Sequence, residues 1–201
     1  MAGGVDLSGP KIILIGLNKT ATLAFHELFV GSGIPSVHWR DDRERYLAHA
    51  VLTNHALDLP PFHGFDALAF TDISFASDRW VIEGARFFRR FHTAYPDAFF
   101  ILNTRPVDAW LASRAAHASG TFLRRCAKAA GCSTQDVLDG WRRLHTLHEA
   151  EVTAHFAGHE RFLRFDISRD DPRQIADFLA PTHAIDTAHW AFHNARNRKI
   201  A

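Results

Sequence analysis

Three groups of residues have the types and spacing to grip an anion. Gly16, Lys19, Thr20 and Thr22 set a glycine, an ammonium and two hydroxyls within one short stretch, Gly16-Leu17-Asn18-Lys19-Thr20-Ala21-Thr22-Leu23. Arg105 follows the apolar run 98–104, and Ser113 stands eight residues further on. Arg196, Arg198 and Lys199 form a basic tail. A guanidinium fork, an ammonium and hydroxyls are the side-chain donors that hold phosphate or sulfate oxygens. Two further groups could move a proton. Asp72 ends the run Asp66-Ala-Leu-Ala-Phe-Thr-Asp72, and His38 lies in Pro35-Ser-Val-His-Trp39.

The elements that must position these groups can be read from the pattern around them. Ile12 to Ile15 is a short, fully apolar run, rich in β-branched residues, as expected of a strand buried on both faces. Gly16 breaks it, and Ala24/Leu28 with Phe25/Phe29 then repeat at helical spacing. A strand, a tight turn and a helix opening on threonines make an anion cradle, because the first helical amides lack intrahelical partners and the dipole favours negative charge there. A plain strand-to-helix turn with a solvated lysine is the alternative. The spacing departs from the nucleoside triphosphate loop, which needs four residues between its first Gly and Gly-Lys-Ser/Thr. Only Leu17 and Asn18 separate Gly16 from Lys19, enough to surround one phosphate.

Further along, 35–39 and 66–72 read as short strands, which puts His38 and Asp72 near carboxyl ends, where parallel sheets bind ligands. The first helix is expected to end near Gly31-Ser-Gly33. Segments 41–57 and 75–95 read as mostly helical, with Arg43, Glu44 and Arg45 on a solvated face. Residues 98–104 form another buried strand, and Pro106 and Asp108 suit the first turn of a helix running to about His117. Ser133 and Asp136 open a helix to Phe156, 160–166 alternates as a strand, and Pro172 opens a helix through Leu179. As structural alternatives, Asp72 could cap the segment that follows it, and His38 could be a satisfied core histidine.

Gly-x-x-Lys-Thr-x-Thr after a buried strand resembles the 5′-phosphosulfate loop of sulfotransferases, which use 3′-phosphoadenosine 5′-phosphosulfate (PAPS). The stretch 96–113, Pro-Asp-Ala-Phe-Phe-Ile-Leu-Asn-Thr-Arg-Pro-Val-Asp-Ala-Trp-Leu-Ala-Ser, is similar to the 3′-phosphate motif of the bacterial members. The tail Phe192-His-Asn-x-Arg196 resembles theirs too, while the Arg-Lys-Gly loop of the cytosolic animal branch is missing. The resemblance implies an α/β fold of the P-loop-like sulfotransferase type, a mainly parallel sheet flanked by helices. It implies PAPS as co-substrate, adenosine 3′,5′-bisphosphate as product, a hydroxyl-bearing small molecule or glycan as acceptor, and no metal. Lys19 would neutralise the leaving oxygen. The amides from Lys19 to Leu23, with the Thr20 and Thr22 hydroxyls, would hold the 5′-phosphate. Arg105 and Ser113 would hold the 3′-phosphate, with Arg196 and Arg198 closing over it. Asp72 is the first choice for general base and His38 the second, because an unperturbed imidazole titrates nearer neutrality. Two positions depart from the family pattern. Ala21 replaces a usual Gly and fits if it is right-handed helical, and Leu23 replaces a common hydroxyl.

Composition bounds the rest. A chain of 201 residues, 47% hydrophobic, can bury one good core, so one domain over 1–201 is expected. The net charge of +1 demands no nucleic-acid or acidic-membrane partner. Two cysteines suit reduced thiols, no run reaches the ~18 apolar residues of a membrane span, and no secretory signal is visible; a cytoplasmic location is the expectation. The pairs His145/His148, His155/His159 and His189/His193 have helical spacing but no acidic or Cys companions, which points to structural or surface roles. Trp39, Phe62 and Phe65 are candidates for an acceptor wall. Two other readings stand beside the sulfotransferase: a small-molecule kinase using Mg-ATP, disfavoured by the short loop and the lack of a strand-end acid in 100–104, and a non-catalytic nucleotide-binding protein on the same fold.

Overall fold

The computed structural model describes residues 7–77 and 81–191. Five parallel strands make the main sheet, β1 (Ile12–Leu14), β2 (Ser36–His38), β3 (Ala69–Asp72), β6 (Phe99–Thr104) and β7 (Phe162–Asp166), in the order β2-β3-β1-β6-β7. Ile12 pairs with Ala69 on one side and Phe99 on the other, so β1 lies between β3 and β6. Alternation along these strands divides the core. Ile12, Leu14 and Ile101 face Phe25, Leu28 and Phe29 of α1 (Thr22–Gly31) and Ile175 of α7 (Arg173–Leu179). Ile13, Phe70 and Phe100 face α2 (Leu47–Ala56), α3 (Phe88–Ala94) and the last turns of α6 (Thr134–His155). Helices thus cover both faces, as a parallel sheet requires. Trp110 and Leu111 of α4 (Val107–Ala115), Phe122 of α5 (Thr121–Ala130) and Trp141 of α6 build a third cluster around Leu17.

The architecture agrees with the α/β, mainly parallel reading. The capping box of α6 is present, with the Ser133 hydroxyl accepting the Asp136 amide and the Asp136 carboxylate accepting the Ser133 amide. Two segments differ from expectation. Residues 75–95 are helical only from Gly84 onward: β4 (Ser74–Ala76) and β5 (Val81–Glu83) form an antiparallel pair, followed by a 3-10 helix at Gly84–Phe87 and then α3. The reason is tertiary, because Phe75 pairs with Ile82, and a Cβ at Gly84 would stand 2.0 Å from the Ile73 carbonyl. Within 41–57 the helix begins only at Leu47. Asp41 instead accepts the Arg45 amide and side chain, and Arg45 lies 3.8 Å from the Phe65 ring rather than on a solvated face. Helix α5 carries no counterpart in the sequence reading. No helix among the described residues is long and apolar enough to cross a membrane.

Candidate active site

The order of strands turns at β1, so its carboxyl end is flanked by those of β3 and β6, and the loop after it sits in the crevice where such sheets bind ligands. Local packing explains the loop's shape. The Gly16 amide donates to Asn103 Oδ1 at 3.0 Å, and a Cβ on Gly16 would meet the Asn103 carbonyl at 1.9 Å, so only glycine fits. Asn103 Nδ2 donates to the Thr20 carbonyl and to Thr20 Oγ1, which itself donates to the Leu17 carbonyl at 2.5 Å. Asn18 is held from α4: its carbonyl accepts Trp110 Nε1 at 2.8 Å and its Oδ1 accepts Arg114 Nη1 at 2.9 Å. Arg114 is fully buried, 4.6 Å from the Trp141 ring, and pairs through Nη2 with Glu83. The loop is thereby fastened to β6, α4 and the β4–β5 hairpin.

Two loop residues correct the sequence reading. The Thr20 hydroxyl is not offered to a phosphate, because the side chain is buried and spent on Leu17 and Asn103. Ala21 is not right-handed: it caps α1 with φ 61° and ψ 28°, and Lys19 two residues before it has φ 68°. That is the left-handed region, which costs a non-glycine residue about 1–2 kcal/mol.

A cavity of about 1050 Å³ opens over these strand ends. Of the residues singled out from the sequence, Lys19, Ala21, Thr22, Leu23, His38, Asp72 and Arg105 line it together. Thr20 and Ser113 do not; Ser113 is half-buried on α4 outside the lining. Arg196 and Arg198 lie outside the described residues. Phe62 and Phe65 are core, not wall: Phe62 stacks on Phe70 at 3.9 Å. Trp39 does line the cavity. Sequence reasoning missed His117, Arg125 and Arg169 in the lining, and Asn103 and Arg114 behind it. Asn103 lay inside an apolar strand run, where a single amide is the one visible signal.

The charges are set by burial. Lys19 Nζ sits 3.4 Å from His117 Nδ1, and desolvation lowers its pKa while the nearby Asp72 carboxylate works the other way. Arg105 Nη1 lies 3.5 Å from the Lys19 carbonyl, and its buried Nε has no protein partner. Asp72 accepts the Ser74 amide at 3.0 Å, the Ser74 hydroxyl at 2.5 Å and the Thr22 hydroxyl at 3.4 Å, yet burial still raises its pKa. It caps a turn, not a helix. Burial pushes His38, whose Nδ1 meets Thr71 Oγ1 at 3.1 Å, down to about 4. The near-neutral titration that recommended His38 as a base is therefore absent.

The histidine pairs are packed or surface groups. His148 Nε2 donates to the Ile15 carbonyl at 2.6 Å, His145 rests on Trp110, and His155 and His159 pack against Phe156. His189 pairs with Asp186, and His193 lies outside the described residues. Among the described residues no group of three or more His, Cys, Asp or Glu could hold a metal ion.

A family model described as a sulfotransferase domain matches residues 11–164, from the start of β1 into β7. The chain belongs to the sulfotransferase family. No curated protein matches it. The matched span contains the Lys19 loop, Asp72 and Arg105, and membership makes the protein a transferase of sulfuryl groups. In this sulfotransferase the loop, the carboxylate and the arginine meet in one cavity, and Arg114 and Asn103 hold the loop there.

Proposed function

We propose that the protein moves the sulfuryl group of PAPS to a hydroxyl acceptor, releasing adenosine 3′,5′-bisphosphate. The observation that carries this reading is the convergence of Lys19 and Arg105, from the ends of β1 and β6, in one cavity with Asp72. The amides of the first turn of α1, with the Thr22 hydroxyl, hold the 5′-phosphate. The buried Arg105 Nε, a donor without a protein partner, fits the 3′-phosphate. Nothing in the placement of Ser113 supports a second grip on that phosphate. Lys19 neutralises charge growing on the bridging oxygen, and the loose in-line displacement is catalysed by positioning and electrostatics. Asp72 is the general base, its carboxylate made more basic by burial.

Calorimetric titration with adenosine 3′,5′-bisphosphate and with Mg-ATP tests the reading. The bisphosphate should bind the more tightly, and Arg105→Ala should weaken it roughly 10–100-fold, the worth of one charge-assisted contact. Lys19→Ala should depress sulfuryl transfer far more than bisphosphate binding. Preference for Mg-ATP would move the chain to the kinases, and bisphosphate binding without transfer to any acceptor would leave a nucleotide-binding protein.

A further inference from the structure

We propose that the acceptor is an uncharged hydroxyl compound with an apolar body, a phenol or hydrophobic alcohol, seated against Trp39; this rests on the sulfotransferase reading above. The strand order sorts the cavity lining by chemistry. Beyond β6 and β7 stand Arg105 and Arg169, α5 contributes Arg125, and Lys19 occupies the centre. Beyond β2 and β3 the described lining is Trp39, Phe75, Ala76 and Val81, with His38, Asp72 and Ser74 as its polar groups.

Exposure marks the same wall. Leu23 and Trp39 are each 40% exposed and Val81 37%, so three large apolar side chains stand open to solvent in one concavity. Scattered singly such residues need no explanation, but gathered in a pocket beside polar reacting groups they mark a binding site. Trp39 is held there at a cost. Its φ of 60° is an outlier for so bulky a residue. The backbone enforces it from both sides, with the Trp39 amide donating to the Asp72 carbonyl at 3.1 Å and its carbonyl accepting the Leu47 amide at 3.0 Å. Strain of this kind concentrates at functional sites. The indole edges onto Tyr46 at 5.2 Å, which in turn edges onto Phe75 at 4.8 Å, so the wall is a braced aromatic surface.

An anionic acceptor seated there would face the Asp72 carboxylate. An apolar hydroxyl compound would bury its body against Trp39 and Leu23 and present its oxygen between Asp72 and Lys19. Its oxygen forms the new bond to sulfur as the bond from sulfur to the bridging oxygen breaks. The hydroxyl proton passes to Asp72, and the electron pair leaves with the bisphosphate beside Lys19.

The test pairs 2-naphthol with a neutral chitin disaccharide. Equilibrium dialysis, with and without adenosine 3′,5′-bisphosphate, should show 2-naphthol binding that Trp39→Ala weakens roughly tenfold and Trp39→Phe largely preserves. Labelled sulfate from PAPS should reach 2-naphthol, with the Trp39→Ala loss appearing in KM more than in kcat. Bisphosphate binding together with sulfation of the disaccharide and not the naphthol would overturn the inference and leave the donor reading intact. Failure of 2-naphthol to bind under either condition would overturn it too. Naphthol binding that depends on Trp39, without bisphosphate binding, would support the apolar wall while the donor reading fell.

Discussion

Ala21 and Asp72 are both held in states their surroundings impose. At φ 61° Ala21 bears about 1–2 kcal/mol of left-handed strain, while a glycine there would lose about 0.4–1 kcal/mol more chain entropy on folding. The first term is the larger, so Ala21→Gly should stabilise the protein by up to about 1 kcal/mol in chemical denaturation; a destabilised variant would mean that the turn is not left-handed in solution. For Asp72 the folded pKa is raised. Its favourable contribution is full below the ordinary carboxylate value and is lost as pH rises through the folded pKa, so the ionised group is a cost at neutral pH. Asp72→Asn should therefore abolish transfer and yet be more stable than the parent at pH 7, with the gap closing towards pH 4. His38, depressed to about 4, acts oppositely: its contribution is present above its ordinary value and fades as pH falls towards 4. It is common to both proteins and cancels in the comparison. A gap independent of pH would refute the perturbed carboxylate.

At the scale of elements, the phosphate loop owes its position to its neighbours. Arg114 on α4 bonds Asn18 of the loop and pairs with Glu83 of β5, so one buried guanidinium ties the donor loop to the hairpin that carries Val81 of the apolar wall. Arg114→Met would leave the Glu83 carboxylate, 15% exposed, without its partner, and should cost about 3 kcal/mol, near the low end for a broken buried pair. The double variant Arg114→Met/Glu83→Leu removes both charges and should recover most of that stability. It should not recover bisphosphate affinity, because Asn18 Oδ1 still lacks its donor. Recovery of both in calorimetry would reduce Arg114 to a structural role. Arg114→Lys is no conservative exchange here, since a single ammonium cannot reach Asn18 and Glu83 with the guanidinium's fork.

Across the whole molecule, the site draws on the carboxyl ends of five parallel strands and on α5, spanning residues 18–170 of the chain. The order β2-β3-β1-β6-β7 places the apolar and acidic wall on one side of Lys19 and the guanidinium groups of Arg105 and Arg169 on the other. Such sorting suits a reaction that brings a polyanionic donor to a hydroxyl. It follows from topology, because neighbours in this sheet are separated by a whole helix in the chain.

What the sequence by itself determined was local: an apolar run stopped by Gly16, a helix announced by spacing from Ala24, a second buried strand ending in Arg105, and the cap at Ser133. Each is decided by neighbours a few residues away, where periodicity and breaker residues act. The parallel α/β class was implied by the family resemblance that the Lys19 loop and the Arg105 stretch carry. Only the tertiary structure decided that Thr20 turns inward, because its partner Asn103 is 83 residues away. Only it decided that Ala21 is left-handed, that 74–76 pairs with 81–83, and that Phe62 belongs to the core while Trp39 faces the cavity. Those outcomes depend on which side chains meet across strands and helices, and pairwise packing at long separation leaves no mark in the spacing of residues along the chain.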